Sequence, residues 1–170
     1  MKSTRILTFS ALMSALSVVI LLLGSLIDII DMAMAVTASL ILVVVHEELK
    51  FKSVFVFLVT SVIALFIVPN KLIVAEYALV AFYPIVKAFI EKLPKVFSII
   101  LKGLYFVLSS ALIVYLFNVL FVVEEMIYMD IAYFVCMMAI FILLEKLIFR
   151  FTMYYRFKLR HQLKIDKFFL

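Results

Sequence analysis

The chain has 170 residues, of which 69% are hydrophobic and 16% are charged, and its formal net charge is +5. Soluble domains are typically about 45–50% apolar and about 25% charged, so a soluble fold of this length could not bury this much apolar surface in one core. Most basic residues lie in short segments between or beyond long apolar runs, a distribution typical of membrane proteins and not of nucleic-acid-binding ones. We therefore predict an all-α polytopic membrane protein that contacts the lipid bilayer and binds no nucleic acid.

Six apolar segments follow one another along the chain, each long enough to cross a hydrocarbon layer of roughly 30 Å as a helix. They run from Ile6 to Leu26, Ile29 to Val45, Phe51 to Val68, Leu72 to Ile90, Val96 to Val122 and Met129 to Phe149. The first follows Lys2 and Arg5, as the core of a signal peptide would. It is longer than such a core and has no convincing cleavage site, so we interpret it as the first membrane helix. Asp28 and Asp31 can sit on a helix end, which leaves the boundary between the first two helices open by a turn.

The distribution of lysine and arginine predicts the orientation, because cytoplasmic segments are enriched in both. With six crossings, one side receives Lys2, Arg5, Lys50, Lys52, Lys87, Lys92, Lys95, Lys102, Lys146, Arg150 and the C-terminal tail. The other side receives only Lys71, together with Asp28, Asp31, Glu124, Glu125 and Asp130. We predict a six-helix transmembrane domain over residues 1–150 with both termini in the cytoplasm.

Residues 151–170 form a tail in which basic residues alternate with aromatic and aliphatic ones. This pattern predicts a basic amphipathic cytoplasmic segment lying on the anionic inner leaflet, where each Lys or Arg contributes about 1 kcal/mol. Binding of a partner protein or RNA is the alternative for this segment.

Helix four carries Glu76, Tyr83 and Lys87 at positions i, i+7 and i+11, which places them on one helical face. A carboxylate inside an apolar segment is costly and normally faces a cavity or a partner. Pro84 lies between Tyr83 and Lys87 and predicts a kink in the helix. Lys87 and Lys102 lie near helix ends, where we expect them to snorkel to the interface.

Other polar residues lie in the outer halves of helices five and six, where they can converge with those of helix four. We predict an outward-opening small-molecule pocket lined by Glu76, Tyr77, Tyr83, Tyr115, Asn118, Asp130 and Tyr133. An acidic pocket with an aromatic rim favours a cationic or hydrogen-bonding ligand. The alternative is that Asp130 caps helix six and the tyrosines form an interfacial belt.

Helix one carries small residues at helical spacing, with Ala11 and Ala15 four positions apart beside Ser10 and Ser14. Small side chains let a second membrane helix approach closely. The stripe predicts either packing within the chain or a docking face for a separate membrane subunit.

Signals for catalysis are absent from the sequence. His46, Glu47 and Glu48 do not have metalloprotease spacing, and we expect them to form a solvated cytoplasmic turn. There is no phosphate loop, no paired-cysteine motif and no nucleophile elbow. With only two glycines in the chain, an autonomous transporter with unwound helices is also disfavoured. We predict no enzymatic activity, no metal site and no cofactor.

In its size, its predicted topology and the Leu12 to Leu16 region, the chain resembles the S components of energy-coupling factor (ECF) transporters. In that family an Ala-x-x-x-Ala-like pair on helix one, here Ala11 and Ala15, packs against the transmembrane T component. The resemblance implies a bacterial cytoplasmic-membrane subunit that captures a micronutrient outside and imports it with a T component and ATPases. Residues 81–87 also look like a segment of a family of uncharacterised Gram-positive membrane proteins with the same plan.

The chain departs from the S components in two respects. No vitamin-specific motif can be matched, and the first outer loop is short for a ligand lid, so the resemblance implies no particular substrate. The MreD family of cell-shape proteins offers an alternative of another class, a small membrane scaffold without a transport role. A cavity lined by Glu76, Tyr115 and Tyr133 would favour the transporter, and a solidly packed outer half would favour the scaffold.

Overall fold

The computed structural model describes residues 2–27, 30–121 and 127–162, and within these ranges the regular structure is entirely helical. Asp28, Glu124, Glu125 and residues 163–170, on which part of the charge distribution and of the tail prediction rest, lie outside the described residues. The helices are α1 (Lys2–Gly24), α2 (Asp31–Leu49), α3 (Ser53–Ile67), α4 (Lys71–Ile90), α5 (Lys95–Phe121), α6 (Ile127–Tyr154) and α7 (Arg160–Gln162). A 3₁₀ turn, Lys50–Lys52, joins α2 to α3, and a π-helical turn, Tyr155–Leu159, follows α6.

Five helical stretches of the described chain are long and apolar enough to cross a membrane. They are Thr4–Gly24, Asp31–Ile67, Lys71–Ile90, Lys95–Leu120 and Asp130–Leu159. The second stretch contains both α2 and α3, which the sequence predicts as two separate crossings. On its own α3 has 15 residues, or about 22 Å of helix at 1.5 Å per residue. The described chain is therefore all-α, with five helical stretches able to span a membrane by length and composition, and α3 is shorter than the predicted third crossing.

The junction between α2 and α3 is a sharp reversal of the chain. Lys50 has a φ of 50°, in the left-handed region that non-glycine residues rarely adopt. Ser53 Oγ donates to the Lys50 carbonyl at 2.6 Å and lies 2.9 Å from His46 Nδ1, which ties the end of α2 to the start of α3. The reversal brings Thr60, in the middle of α3, against Ser14 in the middle of α1.

Helix α4 lies at the centre of the bundle and packs against α1, α2, α3 and α5. One core cluster joins it to α1, α2 and α3, and a second joins it to α2, α5 and α6. Large apolar side chains such as Phe55, Phe66 and Leu108 point outward from the surrounding helices. These exposed side chains are the surface that faces hydrocarbon in a membrane protein.

The described charged residues separate into two ends of the bundle. The acidic end carries Asp31, Glu76 and Asp130. Among the described residues, Lys71 is the basic residue at this end. The basic end carries the other described basic residues together with Glu47, Glu48, Glu91 and Glu145. The separation follows the charge distribution predicted from the sequence.

At the basic end, two lysines and two glutamates connect α4, α5 and α6. Lys102 Nζ lies 2.7 Å from Glu145 and 3.3 Å from Glu91, and Lys87 Nζ lies 3.6 Å from Glu91. Both lysine side chains are largely buried. Lys87 and Lys102 thus form ion pairs within the bundle, in addition to lying near helix ends as expected for snorkelling residues.

The end of α2 also binds the segment that follows α6. Arg156 Nε lies 2.7 Å from Glu47 Oε2, and Arg160 Nε lies 3.1 Å from Glu48 Oε1. The buried Tyr155 hydroxyl donates to Glu48 at 2.9 Å. The two glutamates, expected in a solvated turn, thus anchor the start of the tail to the bundle.

Candidate functional site

The most deeply buried carboxylate of the described chain is Glu76, on α4 at the acidic end. Its residue is 1% exposed. Tyr133 Oη, on α6, donates to Glu76 Oε1 at 3.2 Å, whereas Glu76 Oε2 has no hydrogen-bond partner among the described residues. Glu76 and Tyr133, both predicted to line the pocket, are therefore in direct contact.

Asp31 lies at the first position of α2, close enough for its charge to act on both Glu76 and Tyr133. Its Oδ1 accepts a hydrogen bond from the Met32 amide at 2.6 Å. From the sequence, Asp31 is only one of several acidic residues on the outer side and is not predicted to line the pocket. The sequence signal that could have identified Asp31 as a site residue is its place among the acidic residues of the predicted outer side.

A second polar pair joins α5 to α6 at the same end. Asn118 Nδ2 donates to Asp130 Oδ1 at 3.1 Å. Asp130 precedes Tyr133 by three residues, which places the two on neighbouring turns of the same face of α6. The two hydrogen-bonded pairs, Glu76–Tyr133 and Asn118–Asp130, therefore contain four of the seven predicted pocket residues and are adjacent along α6.

Tyr115 lies on the outside of the bundle, where it is 64% exposed. It borders a shallow surface depression of about 350 Å³ between α5 and α6. Asp130 lines the same depression, but Glu76 and Tyr133 do not. The structure thus places Tyr115 beside the Asp130 pair and apart from Glu76.

Tyr77 and Tyr83 are completely buried in the two core clusters. The Tyr77 hydroxyl lies beside Ser17 and Thr60, on the side of α4 that faces α1 and α3. The Tyr83 ring packs 5.0 Å from the Phe106 ring, and its hydroxyl has no partner among the described residues. Tyr83 follows Glu76 by seven residues, or about 10 Å along the helix, so it lies well toward the basic end.

The Lys71 ammonium at the acidic end is bound to main-chain carbonyls. Its Nζ donates to the carbonyls of Leu65 at 2.7 Å and Val68 at 2.8 Å. These carbonyls belong to the last turn of α3 and the residue after it, where a cation satisfies acceptors that the helix leaves open. The ammonium of Lys71 therefore serves as a helix cap.

The small residues of helix one form the floor of an open groove of about 810 Å³ between α1 and α3. All four predicted docking residues, Ser10, Ala11, Ser14 and Ala15, line it. Ala11 and Ala15 are exposed, whereas Ser14 is buried and accepts a hydrogen bond from Thr60 at 2.8 Å. Part of the stripe therefore packs within the chain, and part is open to a second helix.

The walls of this groove are apolar along its length. They include Leu7, Val18 and Leu22 on α1, and Val56, Val59 and Ile63 on α3. From Ile6 to Leu22 the groove follows α1 for 17 residues, or about 24 Å between the first and last Cα atoms. This length covers most of a hydrocarbon layer of roughly 30 Å.

No family model matches this chain, and no curated protein or solved structure matches it.

The two sites differ in what they can do chemically. Among the described residues, no group of three or more His, Cys, Asp or Glu side chains is placed to hold a metal ion. The Glu76 group offers carboxyl oxygens in a buried environment, which suit a hydrogen-bond donor or a cation. The groove offers shape and apolar surface, which suit a membrane helix.

Proposed function

We propose that this chain is a substrate-binding membrane subunit similar to the S components of ECF-type micronutrient importers. In this proposal it captures a small molecule at the acidic end and docks to a T component through α1. ATPases in the same complex then drive import. The chain itself carries out no covalent chemistry.

The groove between α1 and α3 is the observation that carries the proposal. Ala11 and Ala15 lie exposed on its floor, where the resemblance to the S components puts the contact with a T component. A transmembrane helix of that component can approach the backbone of α1 closely at these two positions. The contact gains dispersion energy that lipid chains, which adapt less well to such a groove, do not supply.

The membrane placement in this proposal is six crossings with both termini in the cytoplasm of a bacterium. The reversal at Lys50 supports the separation of α2 and α3 into two crossings. The shorter α3 would be accommodated by local thinning of the bilayer. The clustering of basic residues at one end supports a cytoplasmic location for that end, because positively charged segments remain inside.

Two variants with a matched control test the docking role. Ala11→Leu and Ala15→Leu place a large side chain on the groove floor, and we expect each to abolish co-purification with a T component. Ala139→Leu makes the same change at an exposed position of α6 and should leave co-purification unchanged. The measurement is affinity purification in mild detergent with mass spectrometry of the recovered proteins, after size-exclusion chromatography has shown that each variant is folded. Unchanged recovery of the T component with Ala11→Leu and Ala15→Leu would contradict docking through this groove.

The structure also offers an observation in favour of a scaffold similar to MreD. Two of the seven predicted ligand residues, Tyr77 and Tyr83, serve the packed core. A partner could use the same groove without any ligand being bound. Recovery of cell-wall synthesis proteins in place of a T component and ATPases would favour this second function.

A further inference from the structure

We propose that Glu76, Asp31 and Tyr133 form a binding site for a small organic cation, such as a protonated amine or a guanidinium group. The site lies at the acidic end, where α2, α4 and α6 meet. The inference rests on the proposed function, since it gives the chemical class of the captured molecule.

The first reason is the environment of Glu76. The residue is 1% exposed, and its Oε2 has no hydrogen-bond partner among the described residues. A buried polar atom without a partner is costly, and the cost is greatest in a membrane interior, where no bulk water replaces the missing bond. An ammonium or guanidinium group donates the bond that Oε2 lacks and brings the opposite charge.

The second reason is the balance of charge around Glu76. The carboxyl group of Asp31 lies close enough to act on Glu76, so two acidic groups face the same region from α2 and α4. Lys71, the basic side chain at this end among the described residues, donates to the carbonyls of Leu65 and Val68. A cation from outside the chain would therefore meet two carboxyl groups at this end, while the Lys71 ammonium is bound to main-chain carbonyls.

The third reason concerns the type of cation. The described residues hold no group of three or more metal-ligating side chains, which disfavours a divalent metal. Tyr133 borders the site, and its ring centroid lies 5.1 Å from that of Phe117 on α5, with the two ring planes tilted by 34°. Aromatic faces attract organic cations, so this pair provides a wall for the non-polar part of such a ligand.

The test is isothermal titration calorimetry of the full chain purified in detergent. The probes are methylammonium, choline, agmatine and NiCl₂, with acetate as the anionic comparison. We expect at least one organic cation to bind, and Glu76→Gln to weaken its affinity about 10- to 100-fold, because a hydrogen bond to a charged group is lost. Glu91→Gln removes an exposed carboxylate at the basic end and should leave the affinity unchanged.

Two further variants keep the test decisive if Glu76→Gln does not fold. Asp31→Asn removes one charge and Tyr133→Phe removes one hydroxyl, and both should weaken binding while the Glu91→Gln control does not. Binding of no organic cation, an equal effect of Glu91→Gln, or binding of nickel alone would overturn the inference.

This inference and the proposed function can fail separately. If a T component and ATPases co-purify with the chain but no organic cation binds, the importer stands and the ligand class is wrong. If an organic cation binds in a manner that depends on Glu76 but no ATPase is recovered, the site stands and the ECF assignment is wrong.

Discussion

Gly24, the last residue of α1, is the position where the structure makes the most precise packing prediction. A Cβ atom added there would lie 2.6 Å from Cδ1 of Ile73 and 2.7 Å from Cβ of Met34. Both distances are far shorter than the roughly 3.5–4.0 Å of a favourable carbon–carbon contact. Ile73 is completely buried, and the Cβ atom of Met34 is fixed to the backbone of α2. Relief of the clash therefore requires α1 and α2 to move apart and the buried Ile73 side chain to shift.

We expect Gly24→Ala to lower the free energy of unfolding through this clash. Overpacking of a well-packed site by one methyl group costs about 1–3 kcal/mol. The replacement of glycine by alanine in a helix returns about 0.5–1 kcal/mol. The net destabilisation should therefore be about 0–2.5 kcal/mol.

Gly103 provides the matched control, because it is the other glycine of the chain. A Cβ atom added there meets nothing within 4 Å. Gly103→Ala should therefore keep only the helical gain and raise stability by about 0.5–1 kcal/mol. The difference between the two variants isolates the packing cost of about 1–3 kcal/mol.

The assay is reversible unfolding in mixed micelles of a mild detergent and SDS, followed by circular dichroism of the purified variants. A shift of the midpoint in opposite directions for the two variants would match the expectation. If Gly24→Ala proves as stable as Gly103→Ala, the close approach of α1 to Met34 and Ile73 is wrong. The orientation of α2 and α4 at the acidic end would then need revision.

Two further predictions use the same unfolding assay. Tyr83→Phe removes a buried hydroxyl that has no partner among the described residues, and it should change the free energy of unfolding by less than about 1 kcal/mol. Tyr105→Phe removes the hydroxyl that donates to the Leu79 carbonyl, and it should lower the free energy of unfolding by about 1 kcal/mol. Equal effects of the two variants would contradict this assignment of the hydroxyl contacts. Lys102→Met should destabilise by about 1–3 kcal/mol because it leaves the Glu145 carboxylate, half-buried between helices, without its partner. The double variant Lys102→Met/Glu145→Leu should recover part of this loss, and a double variant less stable than Lys102→Met would exclude the pairing.

The positions of the helices, and the separation of acidic from basic residues between the two ends, could be predicted from the sequence because both depend on local composition. Apolar runs of sufficient length must be helical in a membrane, since no other structure satisfies their backbone groups within one segment. The prediction of a helix over Leu72 to Ile90, for example, agrees with α4 at Lys71–Ile90. Periodicity also placed Glu76, Tyr83 and Lys87 on one face, and all three are buried. This information is contained within a single helix.

The composition of the site depends on which helices are neighbours, and local patterns do not contain that information. Tyr115 and Tyr133 both lie in the outer half of the predicted bundle, yet one faces outward and the other reaches Glu76. Asp31 lies close enough to Glu76 for its charge to act there because α2 packs beside α4, although the two residues are 45 positions apart. Likewise, Lys102 pairs with Glu145 across 43 positions. Each of these contacts is fixed by packing between helices.

The contrast between the two ends of α4 explains why a ligand is expected at one of them only. At the basic end Lys87 lies near Glu91, which also pairs with Lys102, so these three side chains each have an opposite charge from the same chain. At the acidic end Glu76 has one bond from a neutral hydroxyl and a second oxygen without a partner among the described residues. Burial of a carboxylate in an apolar bundle is expensive unless an opposite charge accompanies it. This difference between the two ends is why we propose that a cation binds beside Glu76 and not beside Glu91.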